Sequence, residues 1–194
     1  MPVSPKKNIE EELSKAEKEL EKCKAKVSKL RREFAAQKMD DYTFYDPDGK
    51  KIPLSSLFGD KEDLILIHNM GKECRYCTLW ADGFNGVYWH LENRAGFVVA
   101  SPNDPATVKT FSQGRGWKFK MISMHETSFN KDMGFESEKG KPMPGVSTFH
   151  RDTDGKISRI GAAYFGPGDE FCAVWHILDL LKDGPNGWEP KYSY

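Results

Sequence analysis

The sequence predicts an α/β domain, a central mixed sheet flanked by helices, with a long helix in front of it. Three observations predict this. Residues 64–67 and 96–100 are apolar without polar alternation, which suits strands covered on both faces. Helix-forming stretches separate those strands, so strand and helix alternate along the chain. Residues 8–38 contain no Gly or Pro and are dense in Glu and Lys.

That first segment, taken as residues 1–38, is a single element. Ile9, Leu13, Ala16, Leu20, Cys23, Val27, Leu30 and Phe34 follow one another in alternating steps of four and three, a heptad seam. A helix of about 28 residues spans roughly 40 Å, more than a small domain covers. The seam therefore needs a partner. The expected one is the same helix of a second chain, giving a homodimer. A groove on another subunit, or the helix's own domain, is the alternative. Cys23 lies in the seam as a small core residue.

The domain proper runs over residues 39–194. Residues 42–45 read as a strand, 46–49 as a turn, 51–53 as its return and 55–58 as a short helical turn. Residues 64–67 are the buried strand, and a helix opens at Cys74 with Gly83 and Gly86 as interruptions. Residues 96–100 form the next buried strand, and 105–114 a helix with Asp104 as its N-cap. Residues 118–123 form a further strand. A hairpin turns at 152–155, between strands 146–151 and 156–164. Residues 171–182 are the last helix, and 184–194 an aromatic tail.

Composition narrows the function classes. The 29 basic and 29 acidic residues cancel, so no imbalance points to nucleic acid or to an anionic membrane. No run approaches the roughly 18 apolar residues of a membrane span. Residues 1–13 carry lysines but no apolar run after them, so no secretory leader is expected and the expected compartment is the cytoplasm. There a close cysteine pair is more often catalytic or metal-binding than a static staple.

Cys74-Arg75-Tyr76-Cys77 is that pair, placed after a central strand at the opening of a helix. Residues three apart share one helix face, close enough for a disulfide. Cys74 in the first turn meets free backbone N–H groups and the positive end of the helix dipole, which favour the nucleophilic thiolate. Cys77, one turn deeper, would resolve a mixed disulfide. Arg75 and Glu73 oppose each other in charge. Metal ligation by the two cysteines with two of His68, His90 and His125 is the competing use, without a second pair at finger or ribbon spacing. Neither a cofactor nor a resident metal is expected. Cys172 lies among apolar residues of the last helix and reads as inert.

The strand, motif and helix resemble thioredoxins, and two further candidates follow from that resemblance. His68, six residues before Cys74, stands where thioredoxins place a buried carboxylate that moves the proton of the deeper cysteine. A histidine can do the same, or can be a satisfied core residue. Pro144 stands where thioredoxins carry a cis-proline beside the dithiol, with Pro142 second and an ordinary trans turn as the alternative. Arg75, Tyr76, Trp80 and Phe84, with Trp117 and Asn130 from two polar loops, are candidate walls of a substrate groove. The aromatics at that spacing suit a core equally, and the loops suit turn and capping chemistry.

Several stretches carry a closer resemblance: residues 68–70 (His-Asn-Met), Cys74 to Cys77 with Ala81-Asp82, residues 98–101 (Val-Val-Ala-Ser), Gly116-Trp117, residues 128–135 (Ser-Phe-Asn-Lys-Asp-Met-Gly-Phe) and residues 145–151 (Gly-Val-Ser-Thr-Phe-His-Arg). By these the chain resembles the bacterial thioredoxin-like proteins known as domain-of-unknown-function family 899, from about Asp41 to the tail. The resemblance implies the thioredoxin fold and a site at Cys74 and Cys77. The family has no settled activity. Residues 31–39 lack the proline-containing linker associated with it.

Three functions follow as expectations. The first is a thiol–disulfide oxidoreductase acting on a protein or small-molecule disulfide and reset by an external reductant. The second is a thiol peroxidase of the peroxiredoxin type, which the start of the domain (residues 42–58) resembles. Peroxiredoxins place Thr or Ser three residues before the attacking cysteine, whereas here that residue is Gly71 for Cys74 and Cys74 for Cys77. The third is a non-catalytic, metal-binding or interaction module.

Overall fold

The computed structural model describes residues 5–194, and the chain divides into a unit of residues 1–35 and a unit of residues 36–194. The first is the helix α1 (Pro5–Arg32). Proline suits its first position, where no N–H is needed. Basic residues Lys29, Arg31 and Arg32 fill the last turn, where the helix dipole favours them. Its seam is open: Ile9, Leu13, Leu20 and Leu30 are each more than half exposed. The helix stops short of residue 38: Gln37 and Lys38 already belong to the second unit, as strand β1 of its sheet.

The second unit is one eight-stranded sheet in the order β1-β8-β7-β4-β5-β6-β2-β3. The other strands are β2 (Thr43–Tyr45), β3 (Lys51–Pro53), β4 (Asp63–His68), β5 (Gly96–Ser101), β6 (Lys120–Ser123), β7 (Gly145–Arg151) and β8 (Ile157–Tyr164). β4, β5 and β6 run parallel, and β7 is antiparallel to β4. The parallel centre is the apolar part of the sequence, with Leu64, Leu66, Val98, Val99, Ala100 and Ile122 wholly buried. Two hairpin turns use one device. Asp46 and Asp152 each accept backbone N–H bonds from two and four residues on, and Gly49 and Gly155 take positive φ.

Alternation along the strands divides the core into two clusters, one per face. Leu64, Leu66, Val98, Ala100 and Ile122 face a cluster with Phe44, Phe129, Phe135 and Phe149. Ile67, Phe97, Val99 and Met121 face another with Cys77, Trp80, Tyr88, Trp117 and Trp175. The helices on the domain are α2 (Arg75–Asn85), α3 (Tyr88–Arg94), α4 (Pro105–Arg115), α5 (Phe129–Asp132) and α6 (Ala173–Leu178), with a 3-10 turn at Leu54–Phe58. α4 starts as expected, with Asp104 accepting from the Thr107 N–H at 3.0 Å.

One helix breaks at a glycine expected to interrupt it, and two elements depart from expectation. The helix after Cys74 breaks at Gly86 and restarts as α3, while Asn85 accepts from the Lys118 N–H at 2.7 Å. A short helix, α5, replaces part of the expected loop at residues 127–134. The last helix is six residues, not twelve. Asp169 ties the N–H groups of Gly166 and Phe171 into a turn before it. Beyond it Leu180 is 85% exposed, so no apolar face prolongs the helix. Among the described residues no helix is long and apolar enough to cross a membrane.

Candidate active site

The loop between β4 and α2 is fixed from both sides before the motif begins. Asn69 accepts from the Gly71 N–H at 2.7 Å, and Asn103, in the loop after β5, accepts from the Lys72 N–H at 2.8 Å. Gly71 has φ +100°, and a Cβ there would lie 2.8 Å from Asn103 Oδ1. The chain can turn this tightly because glycine stands there.

Cys74 is the N-cap of α2. Its backbone is extended (φ −97°, ψ 100°), and its Sγ accepts the Cys77 N–H at 3.1 Å. The sulfur thus takes the place of the capping oxygen that Ser or Asp would supply. Cys74 is half-buried and Cys77 is 3% exposed, with the Met70 N–H directed at its Sγ at 3.5 Å. All four cysteines are free thiols.

The two thiols titrate apart. A hydrogen bond from the Cys77 thiol, helped by the N–H groups of Cys77 and Tyr76, outweighs partial burial and holds Cys74 down to about 7. Cys77 is pushed up, first by that same hydrogen bond, then by burial and by the Cys74 charge. Cys74 is therefore the thiol that ionises first, while Cys77 keeps its proton. Below pH 7 the Cys74 thiolate, and with it the rate of alkylation by iodoacetamide, is expected to fall about tenfold per pH unit. Mass spectrometry at each pH reads this directly. A midpoint near 9 would contradict the assigned hydrogen bonding.

The tail returns over the motif. Arg75 pairs with Glu189 at 2.6 Å, and the Tyr76 hydroxyl donates to the same carboxylate at 3.2 Å. Tyr76 packs on Trp175 (6.1 Å between ring centres), which meets Trp188 of the tail at 6.1 Å. Arg115 donates to the Tyr192 carbonyl at 2.6 Å. The Tyr192 phenol is pushed up by burial and by the charges of Glu73 and Cys74, which places it beside the site. Glu189, Tyr192, Met70, Asn69 and Asn103 were given no role from sequence. The tail's aromatic character set it apart, but no local signal says where it lands.

The remaining groove candidates sort into wall and core. Arg75 and Tyr76 stand at the mouth of the site. Trp80 is 3% exposed, with its indole N–H directed at Asp169 at 3.4 Å. Phe84 packs on Phe97 and Phe165. Trp117 is buried and donates to Asp82 at 2.8 Å, beside the Arg115–Asp82 ion pair. These three are core. Asn130 is not at the site at all, being buried on the opposite face of the sheet.

His68 is also on that opposite face, sharing strand parity with Leu64 and Leu66. It is wholly buried, stacked on Phe135 at 3.9 Å, and both ring nitrogens are engaged, Nδ1 with Asn130 Oδ1 and Nε2 with Ser147 Oγ, each at 2.9 Å. Burial holds it down to about 3. The neutral ring thus donates from Nδ1 and accepts from Ser147. The expected proton transfer to Cys77 is overturned: the sheet lies between them, and His68 is the satisfied core histidine of the alternative.

Pro144 stands beyond Gly145, which pairs with His68, so it lies at the sheet end that carries the motif. The expected cis bond is absent, since every described peptide bond is trans. Pro144 prolongs the extended run of β7. Its carbonyl accepts the Phe165 N–H at 3.0 Å, and the Met143 N–H reaches the Phe135 carbonyl at 2.8 Å. Among the described residues no three His, Cys, Asp or Glu side chains converge as metal ligands. His125 is exposed beside Glu126.

Comparisons place this geometry in a family. The model of a family described as "Bacterial protein of unknown function (DUF899)" matches residues 6–193, and the chain belongs to that family. No curated protein matches the sequence significantly. Among solved structures, the fold is similar to that of the peroxidoxin BcpB from Mycobacterium tuberculosis. That protein is 23% identical with a TM-score of 0.54, over 68% of this chain and 85% of that one. Reduced Prx3 from Vibrio vulnificus, solved with hydrogen peroxide, is 16% identical with a TM-score of 0.54, over 69% and 88%. A hypothetical protein from Sinorhizobium meliloti is 13% identical with a TM-score of 0.50, over 81% and 87%. The fold is that of the thioredoxin-like peroxiredoxins.

Proposed function

We propose that this member of the family is a thiol–disulfide oxidoreductase whose working pair is Cys74 and Cys77. The observation that carries the reading is the geometry of the pair: a half-buried Cys74 whose Sγ caps α2 at 3.1 Å from the Cys77 N–H, over a Cys77 thiol that is 3% exposed, an arrangement that holds the first thiol down and pushes the second up. The Cys74 thiolate attacks one sulfur of a substrate disulfide, forms a mixed disulfide and releases the other sulfur as a thiolate. Cys77 then loses its proton, attacks Cys74 Sγ, and expels the second substrate thiolate. The pair has given two electrons and become a disulfide. An external dithiol reductant returns them. A reducing compartment, the cytoplasm, suits this cycle. Pro144 lies at the same sheet end as the pair, where its ring would bound the approach of the substrate.

A second reading shares the attacking sulfur, and likeness of fold to peroxiredoxins favours it. Cys74 would take the terminal oxygen of a hydroperoxide, release the alcohol or water, and become a sulfenic acid. Condensation with Cys77 would expel water and give the same disulfide. Gly71 offers no hydroxyl to orient the peroxide, and the Thr78 hydroxyl donates to the Cys74 carbonyl instead.

Titration in graded glutathione buffers, with thiols trapped at each point, tests the first reading. A reversible two-electron midpoint between about −300 and −120 mV is expected. No disulfide across that range would remove it. Turnover with hydroperoxide but not with disulfide would hand the site to the second reading. The seam of α1 further proposes a homodimer, and deletion of residues 1–35 is expected to give a monomer with the dithiol midpoint unchanged.

A further inference from the structure

The apolar seam of α1 is matched in sequence to only one orientation of a second helix. Charge along α1 is segregated: residues 8–21 carry six glutamates and two lysines, whereas residues 22–32 carry six lysines or arginines and no acid. In heptad terms Leu13, Leu20 and Val27 are a positions, and Ile9, Ala16, Cys23 and Leu30 are d positions. The flanking e positions are Glu10, Glu17, Lys24 and Arg31. The g positions are Glu12, Glu19 and Lys26, with Glu33 just past the helix.

In a parallel pair, g faces the partner's next e. That sets Glu12 against the partner's Glu17 and Lys26 against the partner's Arg31, leaving Glu19 with the partner's Lys24 as the one attractive contact. It also stacks Ala16 on the partner's Ala16 and Cys23 on the partner's Cys23, two thin layers. In an antiparallel pair centred between Leu20 and Cys23, e faces e and g faces g. Glu10 then meets the partner's Arg31, Glu17 the partner's Lys24, and Glu19 the partner's Lys26. One like-charge pair remains, Glu12 with the partner's Glu33, at the end of the helix, where Lys29 already lies 3.8 Å from Glu33. The seam closes in the same register. Leu13 meets the partner's Leu30, Leu20 the partner's Cys23, and Ala16 the partner's Val27, so each small residue faces a larger one. Registers one heptad to either side bring like charges into self-contact at Glu17 and Glu19, or at Lys24 and Lys26.

We propose that α1 pairs antiparallel with α1 of a second copy of this chain, in that register. This rests on the homodimer reading above and adds its geometry.

The test uses the full chain with Cys23, Cys74 and Cys77 each replaced by Ser, carrying either Leu13→Cys or Leu30→Cys. The two proteins are oxidised with diamide singly and after mixing and re-equilibration, then run without reductant. The proposal expects a crosslinked dimer in the mixture and none in either protein alone, with the linked peptides holding one residue 13 and one residue 30. Crosslinking of each protein with itself, and none between them, makes the pair parallel and overturns the proposal while leaving the dimer. Light scattering and circular dichroism on the unsubstituted chain separate the remaining case. A folded monomer there removes the dimer reading and the orientation together.

Discussion

Replacing Cys74 with Ser is expected to cut disulfide-reducing turnover by on the order of 10³ or more, the scale of losing an attacking nucleophile. Cys77 is expected to behave differently according to what replaces it. Cys77→Ser keeps a donor toward Cys74 Sγ, so the attacking thiol stays near 7 and a mixed disulfide at Cys74 accumulates after one turnover. Cys77→Ala removes that donor, the largest influence on Cys74. The Cys74 midpoint should then rise toward the ordinary cysteine value of about 8.5. Alkylation against pH reads the midpoint, and mass spectrometry reads the trapped adduct. If Cys74→Ser retains turnover, the assignment of the attacking sulfur fails. If Cys77→Ala leaves the midpoint where it was, the thiol-to-thiolate bond is not what lowers it. With hydroperoxide, Cys77→Ser distinguishes the two readings, since a persistent sulfenic acid at Cys74 belongs to the peroxidase.

The parts of this site that were legible in the sequence are those set by neighbours in the chain. Cys74 caps a helix because the strand ends six residues earlier and the motif opens the next element. The turns at Asp46 and Asp152 and the cap at Asp104 are likewise complete within five residues. What needed the fold was the face. In β4, His68 shares parity with Leu64 and Leu66, and parity alone separates it from Ile67. The sequence holds no sign of which set α2 covers. Cys77 packs with Ile67, so a histidine close to it in sequence is cut off by the sheet. The same ignorance misplaced Asn130, read as a loop residue at the site and buried instead beneath the other face. Glu189 was invisible for a different reason. Its partners Arg75 and Tyr76 are more than a hundred residues away, and a single carboxylate in a polar tail carries no pattern.

The division between the faces makes the last expectation a sharp one, because a severe fault on one side should leave the chemistry of the other intact. Gly145 faces His68 across β4 and β7 and Tyr164 across β7 and β8. A Cβ there would overlap Phe135 Cε1 and the Ala163 carbonyl oxygen. The ring could swing aside, but it is stacked on His68 at 3.9 Å and against Tyr164 at 5.0 Å. The carbonyl is part of the β7–β8 ladder and has no such freedom. Glycine is required here for close approach and not for a positive φ. Gly145→Ala therefore forces the ladder apart and lifts Phe135 from the histidine. The cost is at or above the upper end of overpacking, about 3 kcal/mol. For a domain of this size that lowers the melting temperature by roughly 10 °C. In the fraction that remains folded, Cys74 should still titrate near 7, since its thiol and backbone donors lie on α2 over the opposite face. A melting temperature within about 2 °C of the parent would show that the strands can part without loss. A large drop with a shifted Cys74 midpoint would mean the two faces are coupled through β4, and His68 would regain a part in the chemistry.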